Sequence, residues 1–582
     1  MSKKVLIVGG VAGGATAAAR LRRLDENAQI IMFEKGEYIS FANCGLPYYI
    51  GDVIEDRDEL TLQTPESFHK RFNVDVRVRS EVIAIDRRQK KVTVRQNTGN
   101  TYEESYDYLI LSPGAEPVVP PIEGARLDAV FTLRSIPDTF RIKAYVEENN
   151  PKRAAVVGGG YIGIEMADNL TKLGLEVSII ELSDHVIQPL DADMAAEVHQ
   201  HIRSKGVHLY LSKGVTAIKP SGTAYALELS SGESLLTDMV ILAVGVRPES
   251  GLARDSGLET GIRGCIKTDT HMRTSDPAIY AVGDAVEVTD FITGRKAFVP
   301  LASPANKQGR IAADNIAGLD STYGGTQGTA ILKAFDMTVA VTGSNERTLK
   351  DSEITYLKSY TFSASNASYY PGATYMTIKL LFAEATGKIL GAQLTGYNGV
   401  DKRADILATA IRAGMTVKDL TEIELAYAPP FGSAKDPVNI AGYVASNVLS
   451  GLTRLFHWHD VAGIKPMDAT LLDVRTKSEF KKGTLEGAVN IPLDDLRSRL
   501  NELDPTKPVY VFCQVGLRGY VASRILEQNG FKEVYNLSGG YRFYKMVTAK
   551  ITPGKPAGSD SIPKTEEDAR SMALSEKGTD GL

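Results

Sequence analysis

The chain has 582 residues, 43% of them hydrophobic and 24% charged, with a net charge of −5. That length exceeds what one hydrophobic core supports and implies about three or four domains of ordinary globular composition. The small charge and scattered basic residues exclude a nucleic-acid or anionic-membrane binder. No apolar run approaches the ~18 residues of a membrane helix, and the apolar stretch after Met1-Ser2-Lys3-Lys4 is too short for a signal-peptide core, so a cytoplasmic location is expected. Three cysteines, Cys44, Cys265 and Cys513, lie far apart and are odd in number, which argues for thiol chemistry over a disulfide framework.

In chain order, an apolar strand over Lys4 to Val8 runs into Gly9-Gly10-Val11-Ala12-Gly13-Gly14 and an alanine-rich helix from Ala15 to about Leu24. A second strand, Ile30 to Phe33, ends at Glu34. This is a dinucleotide fingerprint: the glycines let the backbone close on a pyrophosphate at a helix N-terminus, and the acid accepts from a ribose hydroxyl. Val11 stands where the middle glycine usually falls. Next comes Ser40-Phe41-Ala42-Asn43-Cys44-Gly45-Leu46-Pro47. A thiol there, with no second cysteine within reach in sequence, points to a redox centre that completes its disulfide with an incoming molecule.

The fingerprint recurs. A strand over Ala154 to Val157 leads into Gly158-Gly159-Gly160-Tyr161-Ile162-Gly163, a helix through Leu173, and a strand from Val177 to Ile180 ending at Glu181. Two such units mean two dinucleotides, which a simple dehydrogenase does not need. The carboxylate of Glu181 suits a free 2′-hydroxyl and repels a 2′-phosphate, and no arginine adjoins it in Glu181-Leu182-Ser183-Asp184, so NADH is expected, with NADPH as the alternative. Cys265, between Gly264 and Ile266, reads as buried and structural.

From Tyr323 to Gly451 strands such as Tyr375 to Leu381 and Ile389 to Leu394 precede an amphipathic helix at Ala404 to Ala413, with aromatic clusters at Tyr369-Tyr370-Pro371-Gly372 and Ala426-Tyr427-Ala428-Pro429-Pro430-Phe431. After His457-Trp458-His459-Asp460 a new α/β pattern begins, its first strand candidate running into Leu471-Leu472-Asp473-Val474-Arg475. In Val509 to Arg518, the residues after Cys513 curl so that backbone N–H groups face the sulfur, a setting that stabilises a thiolate or persulfide. Beyond Pro553 the Lys-, Glu-, Ser-, Gly- and Pro-rich tail reads as disordered.

With Tyr108-Leu109-Ile110-Leu111-Ser112-Pro113-Gly114 and Ile279-Tyr280-Ala281-Val282-Gly283-Asp284 added, the arrangement resembles the flavoprotein disulfide reductases with two dinucleotide sites. The resemblance implies FAD on Gly9, Gly10, Gly13, Gly14, Glu34, Lys35, Gly114, Asp284 and Ala302, and the pyridine nucleotide on Gly158, Gly160, Tyr161, Gly163 and Glu181. It also implies an α/β fold: a discontinuous FAD-binding domain (1–114 and 245–322), an NAD(P)H-binding domain (115–244), both Rossmann-like, and an α+β dimerisation domain (323–450). Residues 455–548 resemble a rhodanese-like α/β domain, and 551–582 form the tail.

The Cys44 segment, continuing to Tyr48, resembles the coenzyme A-disulfide reductases. That family implies Cys44 as the nucleophile that carries a mixed disulfide, flanked by Ser40 and Asn43, with Thr16, Arg20, Arg23 and Asn306 on coenzyme A. Arg20 and Arg23, three apart, share a helix face, and guanidinium forks suit phosphate. The basic residue the pattern places at Phe72 is absent, although Lys70 and Arg71 adjoin it. Tyr369 and Tyr427 match positions that reach the active site from the other subunit of a homodimer, where a phenol can protonate a departing thiolate. Cys513 and Arg518 take the rhodanese roles. The activity implied is an NADH-dependent reduction of coenzyme A disulfide, coenzyme A persulfide or polysulfide, with Cys513 delivering sulfane sulfur. An NADH oxidase or peroxidase that cycles Cys44 through a sulfenic acid, and a non-catalytic redox sensor, stay open as alternatives.

Overall fold

The computed structural model describes residues 2–551, so the expected disordered tail lies outside the described residues. The described residues form two compact units, one of residues 2–184 and 207–328, the other of 185–206 and 329–551.

The first unit holds two parallel sheets. Strands β1 (Lys4–Val8), β2 (Gln29–Phe33), β3 (Asp75–Arg77) and β4 (Tyr108–Leu111) join β10 (Ile279–Ala281), from far along the chain, in the order β10-β4-β1-β2-β3. Helices cover parallel strands on both faces, and Val5, Leu6 and Ile7 are accordingly 0% exposed. Helix α1 (Ala12–Leu24) starts three residues before its expected first residue, because the Val11 carbonyl already accepts from Ala15 N at 2.9 Å. Next in the chain come α2 (Leu46–Ile50), directly after Cys44, and α3 (Ile136–Asn149), which begins on a Ser135/Asp138 capping box.

The second sheet joins β5 (Val130–Phe131), β6 (Arg153–Val157), β7 (Glu176–Ile180), β8 (His208–Tyr210) and β9 (Met239–Leu242) in the order β8-β7-β6-β9-β5, with α4 (Tyr161–Lys172) following β6. The connection from β7 to β8 carries α5 (Ala192–Ser204), which belongs to the second unit. Late in the first unit, α6 (Ala302–Ile316) packs closely on α1: a Cβ at Gly309 would fall 2.3 Å from the Gly13 carbonyl.

In the second unit, β11 (Ala330–Ala334), β12 (Met337–Gly343), β13 (Tyr356–Ala364), β14 (Tyr375–Ala383) and β15 (Ile389–Gly396) form an antiparallel sheet, order β11-β12-β15-β14-β13. Every residue of β15 is buried, so this strand is covered on both faces. Helix α7 (Val400–Arg412) packs on β12 and β15; it starts four residues before the Ala404 expected from its pattern, with buried Val400 leading from Gly399. The last sheet is parallel, with β16 (Arg454–Phe456), β17 (Thr470–Asp473), β18 (Val489–Asn490), β19 (Val509–Phe512) and β20 (Val534–Leu537) ordered β16-β20-β19-β17-β18. Its first strand is thus β16, an edge strand of three residues too short to carry a pattern, and β17 is second. Helices α8 (Leu517–Gln528) and α9 (Gly540–Val547) complete it, and Phe543 of α9 packs at a tilt against Tyr360 of β13 with ring centroids 4.3 Å apart.

Candidate active site

Backbone closeness shapes the first nucleotide cradle. Gly9 has φ +96, and a Cβ there would sit 2.0 Å from the Ser112 carbonyl; at Gly14 it would meet the Gly9 carbonyl at 1.9 Å. Any side chain would push α1 off β1, which leaves the helix N-terminus open to a pyrophosphate. Glu34 accepts from Gly10 N at 3.0 Å and Gly36 N at 2.8 Å. Lys35 pairs with Glu249, and Gly114, at φ +78, holds a backbone conformation that side chains rarely adopt, with the mobile end of Arg134 beside it: a Cβ would lie 2.7 Å from its Nη2. Arg134 Nη2 stands 4.0 Å from Asp284 Oδ2. Burial pushes the Asp284 carboxyl up, and the Arg134 charge opposes it. Ala302 opens α6, with its carbonyl accepting from Asn306 Nδ2 at 3.0 Å.

In the second cradle Gly158 (φ +106) and Gly163 are equally tight, a Cβ at Gly163 falling 2.0 Å from the Gly158 carbonyl. Gly160 differs: nothing lies within 4 Å of its Cβ position, so the protein's own packing does not demand a glycine there. Glu181 accepts from Gly159 N at 2.6 Å and Ser183 N at 2.8 Å. The buried Tyr161 hydroxyl has no hydrogen-bond partner among the described residues, and burial raises its pKa to about 12. An open glycine beside an orphaned hydroxyl and a strand-end carboxylate fits a dinucleotide.

Between the cradles lies the thiol. Ser40 adopts φ 44, unusual for a residue with a Cβ, and its N–H donates to the Gly10 carbonyl at 2.8 Å, so the Cys44 loop is tied directly to the first fingerprint. Cys44 sits exposed in the turn Asn43–Gly45, and the Asn43 carboxamide accepts from Arg134 Nη1 at 2.9 Å and donates to the Arg134 carbonyl at 3.1 Å. Desolvation raises the Cys44 thiol above its ordinary value; Glu165 and Asp284 add to the rise, and Arg134 opposes it. Glu165 of α4 accepts from the Tyr48 hydroxyl of α2 at 3.2 Å. Burial, with Asp168 adding, raises the Glu165 carboxyl to about 7, the Tyr48 hydrogen bond working against them. Glu165 and Arg134 escaped the sequence reading, and Tyr48 entered it only as the end of the Cys44 motif, with no role of its own. Glu165 falls four residues after Tyr161, on the face of α4 that looks back at the fingerprint, and that spacing was the available signal.

The residues expected on coenzyme A lie along α1 and α6. Thr16 Oγ1 donates to Asn306 Oδ1 at 2.6 Å, Arg20 Nε pairs with Asp314 at 2.6 Å, and Arg23 is exposed, as are Lys70 and Arg71. Arg22, one position off that stripe, is buried and donates to the Phe72 and Asn73 carbonyls, a structural role.

In the second unit the Tyr369 and Tyr427 hydroxyls meet at 3.2 Å on an aromatic surface where Tyr369 is 75% and Phe431 70% exposed. Cys513 is buried, and its Sγ accepts from Gly516 N at 3.1 Å, one backbone N–H of the loop that follows it. Arg518 makes a two-pronged pair with Glu479 (2.8 and 2.6 Å). Burial alone would raise the Glu479 carboxyl, but Arg518 and the capping bonds of Thr476 hold it at about 2. Cys265 is 0% exposed, as a structural residue would be.

Two dinucleotide cradles and the free thiol of Cys44 in one unit define a flavoprotein disulfide oxidoreductase, here with a further cysteine, Cys513, on a separate α/β module. The chain belongs to the pyridine nucleotide-disulphide oxidoreductase family, whose model matches residues 3–309; the family's dimerisation domain matches 329–437 and a rhodanese-like domain matches 461–546. It uses FAD and NADH, and the cradles fit both.

Among its relatives, an NADH oxidase of Methanocaldococcus jannaschii is 36% identical over 77% of this chain and 99% of its own. A coenzyme A disulfide reductase of Staphylococcus aureus is 38% identical over 76% and 99%. Two solved structures extend through the rhodanese-like module. Reduced Bacillus anthracis CoADR-RHD is 52% identical, with a TM-score of 0.92 over 94% of this chain and 98% of that one. The NAD-dependent persulfide reductase from A. fulgidus is 39% identical, with a TM-score of 0.87 over 93% and 99%.

Proposed function

We infer that this enzyme reduces coenzyme A disulfide and coenzyme A persulfide with NADH through one protein cysteine, Cys44. The observation that carries the reading is that Cys44 is exposed and free in a turn tied to the first cradle, while Cys265 and Cys513 are buried, so its disulfide partner must come from a substrate. FAD, when bound, supplies two-electron transfer from NADH to that sulfur. Asn43, clamped by Arg134, holds the turn in place. Thr16, Arg20, Arg23 and Asn306 line α1 and α6 for the phosphates of coenzyme A. Reduction of a disulfide R–S–S–R consumes NADH and one proton and yields two R–SH.

Cys513, with the Gly516 N–H on its sulfur, carries sulfane sulfur as a persulfide and passes it to a small thiol, whose persulfide Cys44 then reduces with release of hydrogen sulfide. The dimerisation-domain match and the exposed Tyr369–Tyr427 pair support a homodimer in which these phenols donate to the expelled thiolate. Among the described residues no helix is long and apolar enough to cross a membrane; use of NADH and of free thiols supports a cytoplasmic location.

The test is NADH consumption with coenzyme A disulfide, coenzyme A persulfide and polysulfide, for wild type, Cys44→Ser and Cys513→Ser. The reading expects Cys44→Ser to lose every activity and Cys513→Ser to lose only turnover that begins at the rhodanese-like module. Oxygen-dependent NADH consumption that needs no thiol, and exceeds every sulfur activity, would instead make Cys44 a sulfenate centre.

A further inference from the structure

The two phenols assigned to the expelled thiolate stand on segments with no helix or strand of their own. Tyr369 lies in the loop 365–374 between β13 and β14, and Tyr427 in the segment 423–436 that leads into the helix Pro437–Leu449. Both side chains are exposed, and their hydroxyls meet at 3.2 Å. An exposed phenol on such a loop keeps a fixed position only if the backbone beneath it is held, and position is what proton transfer to a departing sulfur requires.

The hold comes from Arg403 of α7. This residue is 1% exposed, and its guanidinium meets the Asp436 carboxylate as a fork, Nη2 donating to Oδ2 at 2.7 Å and Nε to Oδ1 at 3.3 Å, while Nη1 donates to the Gly399 carbonyl at 3.2 Å. Asp436, also buried, caps the next helix by accepting from Val438 N at 3.0 Å. The chain on either side of Tyr427 closes over that ion pair: a Cβ at Gly432 would fall 3.5 Å from Arg403 Nη2, 3.6 Å from the Ala426 carbonyl oxygen and 3.8 Å from Asp436 Oδ2. Lys402 adds a bond from its Nζ to the Ala426 carbonyl at 3.4 Å. In the same turn the Gly432 carbonyl accepts from Ala367 N at 2.9 Å, in the loop that carries Tyr369, so both phenols hang on one frame. The cost of taking two charges out of water offsets most of their attraction, so a buried pair adds little stability over apolar packing of the same volume; what the fork does supply is direction.

We propose that Arg403 is a positioning residue for the Tyr369–Tyr427 pair: through Asp436 and the turn from Ala426 to Gly432 it sets where the phenols stand when one of them protonates the expelled thiolate. The inference rests on the reading above that these phenols are the donors. In that step the Cys44 thiolate attacks R–S–S–R, breaking its sulfur–sulfur bond, forming Cys44–S–S–R and releasing R–S⁻. The phenol gives R–S⁻ its proton, and the phenolate takes one back from solvent. NADH supplies the two electrons and one proton that return Cys44–S–S–R to Cys44–S⁻ and R–SH, so the sum is NADH + H⁺ + R–S–S–R → NAD⁺ + 2 R–SH. Arg403, buried beneath the turn, enters none of these bond changes and acts only through the phenols.

The test uses full-length, FAD-loaded enzyme with NADH and coenzyme A disulfide, for wild type, Arg403→Met, Tyr369→Phe/Tyr427→Phe and the combination of all three substitutions. Arg403→Met should lower kcat about tenfold. The KM for NADH and the stopped-flow rate of FAD reduction by NADH should stay as in wild type, because neither uses the phenols. In the Tyr369→Phe/Tyr427→Phe background Arg403→Met should bring no further loss, since the groups it places are gone, whereas a purely structural role would cost the same in both backgrounds. Arg403→Lys keeps the charge without the fork and should lose about threefold; where Arg403→Met yields no FAD-loaded enzyme, Arg403→Lys takes its place in both backgrounds. An Arg403 variant at the wild-type rate, or a loss that recurs undiminished without the phenols, overturns the positioning role and leaves the phenols as donors. A Tyr369→Phe/Tyr427→Phe enzyme as fast as wild type overturns the donor reading and the positioning role with it.

Discussion

Gly160 and Gly163 stand three residues apart in one fingerprint and do different jobs. Gly163 lacks a side chain because α4 must touch β6, whereas Gly160 lacks one although the protein leaves space there. Gly163→Ala should therefore cost about 3 kcal/mol or more of stability, measured by thermal or denaturant unfolding. Gly160→Ala should leave stability within about 1 kcal/mol and raise the KM for NADH about tenfold, because the methyl displaces pyrophosphate from the helix N-terminus. Both glycines were legible as a motif, but the division of labour between them was not: it depends on the Gly158 carbonyl, which only the fold brings to 2.0 Å. The same holds for Arg134. Nothing marks it in sequence, since its value lies in reaching Asn43 and Asp284 from 91 and 150 residues away in the chain.

Between elements, buried charge sets the constraints. Lys379 of β14 is 0% exposed and reaches Asp191 (2.8 Å), Asp193 (2.8 Å) and Glu346 (2.5 Å), tying the α5 segment to the antiparallel sheet. The three carboxylates would otherwise suit a cation, and the Lys379 ammonium fills that role. Lys379→Met removes the ammonium that Asp191 and Asp193 share and leaves Glu346 with Lys358, and should destabilise this unit by about 3 to 5 kcal/mol, read as a lowered unfolding midpoint. Glu346, held well below the usual carboxylate range against its own burial by Lys379 and Lys358, and Glu479, held at about 2, both have depressed folded values. Their contributions are complete above the ordinary carboxyl value of 4.5 and fade as pH falls toward those lower values. Unfolding scans should accordingly show a loss of stability on acidification that is reduced in Glu479→Gln. The strands and helices themselves were largely readable from apolar runs and glycine punctuation. What pattern could not show was that α5, sequential with the second cradle, belongs with the other unit, or that β16 begins the last sheet, because both facts are set by long-range pairing.

At the scale of the whole chain, the two cysteines proposed to handle sulfur lie in two different units, Cys44 in the first and Cys513 in the second. The solved structures similar to this chain through its last module, and the rhodanese-like match itself, support reading the pair as consecutive stations for one sulfur atom carried by a small thiol. If the phenols of Tyr369 and Tyr427 serve a neighbouring subunit, Tyr427→Phe should lower kcat about tenfold with little change in the KM for NADH, and mixing it with Cys44→Ser enzyme should restore part of the activity through hybrid dimers. The central claim is that Cys44 bonds to the sulfur of its substrate. Intact-protein mass spectrometry after exposure to coenzyme A disulfide tests it directly: the mass should rise by one coenzyme A per chain, the adduct should map to Cys44, and NADH should remove it. An adduct that persists in Cys44→Ser, or one that NADH leaves in place, would contradict the account.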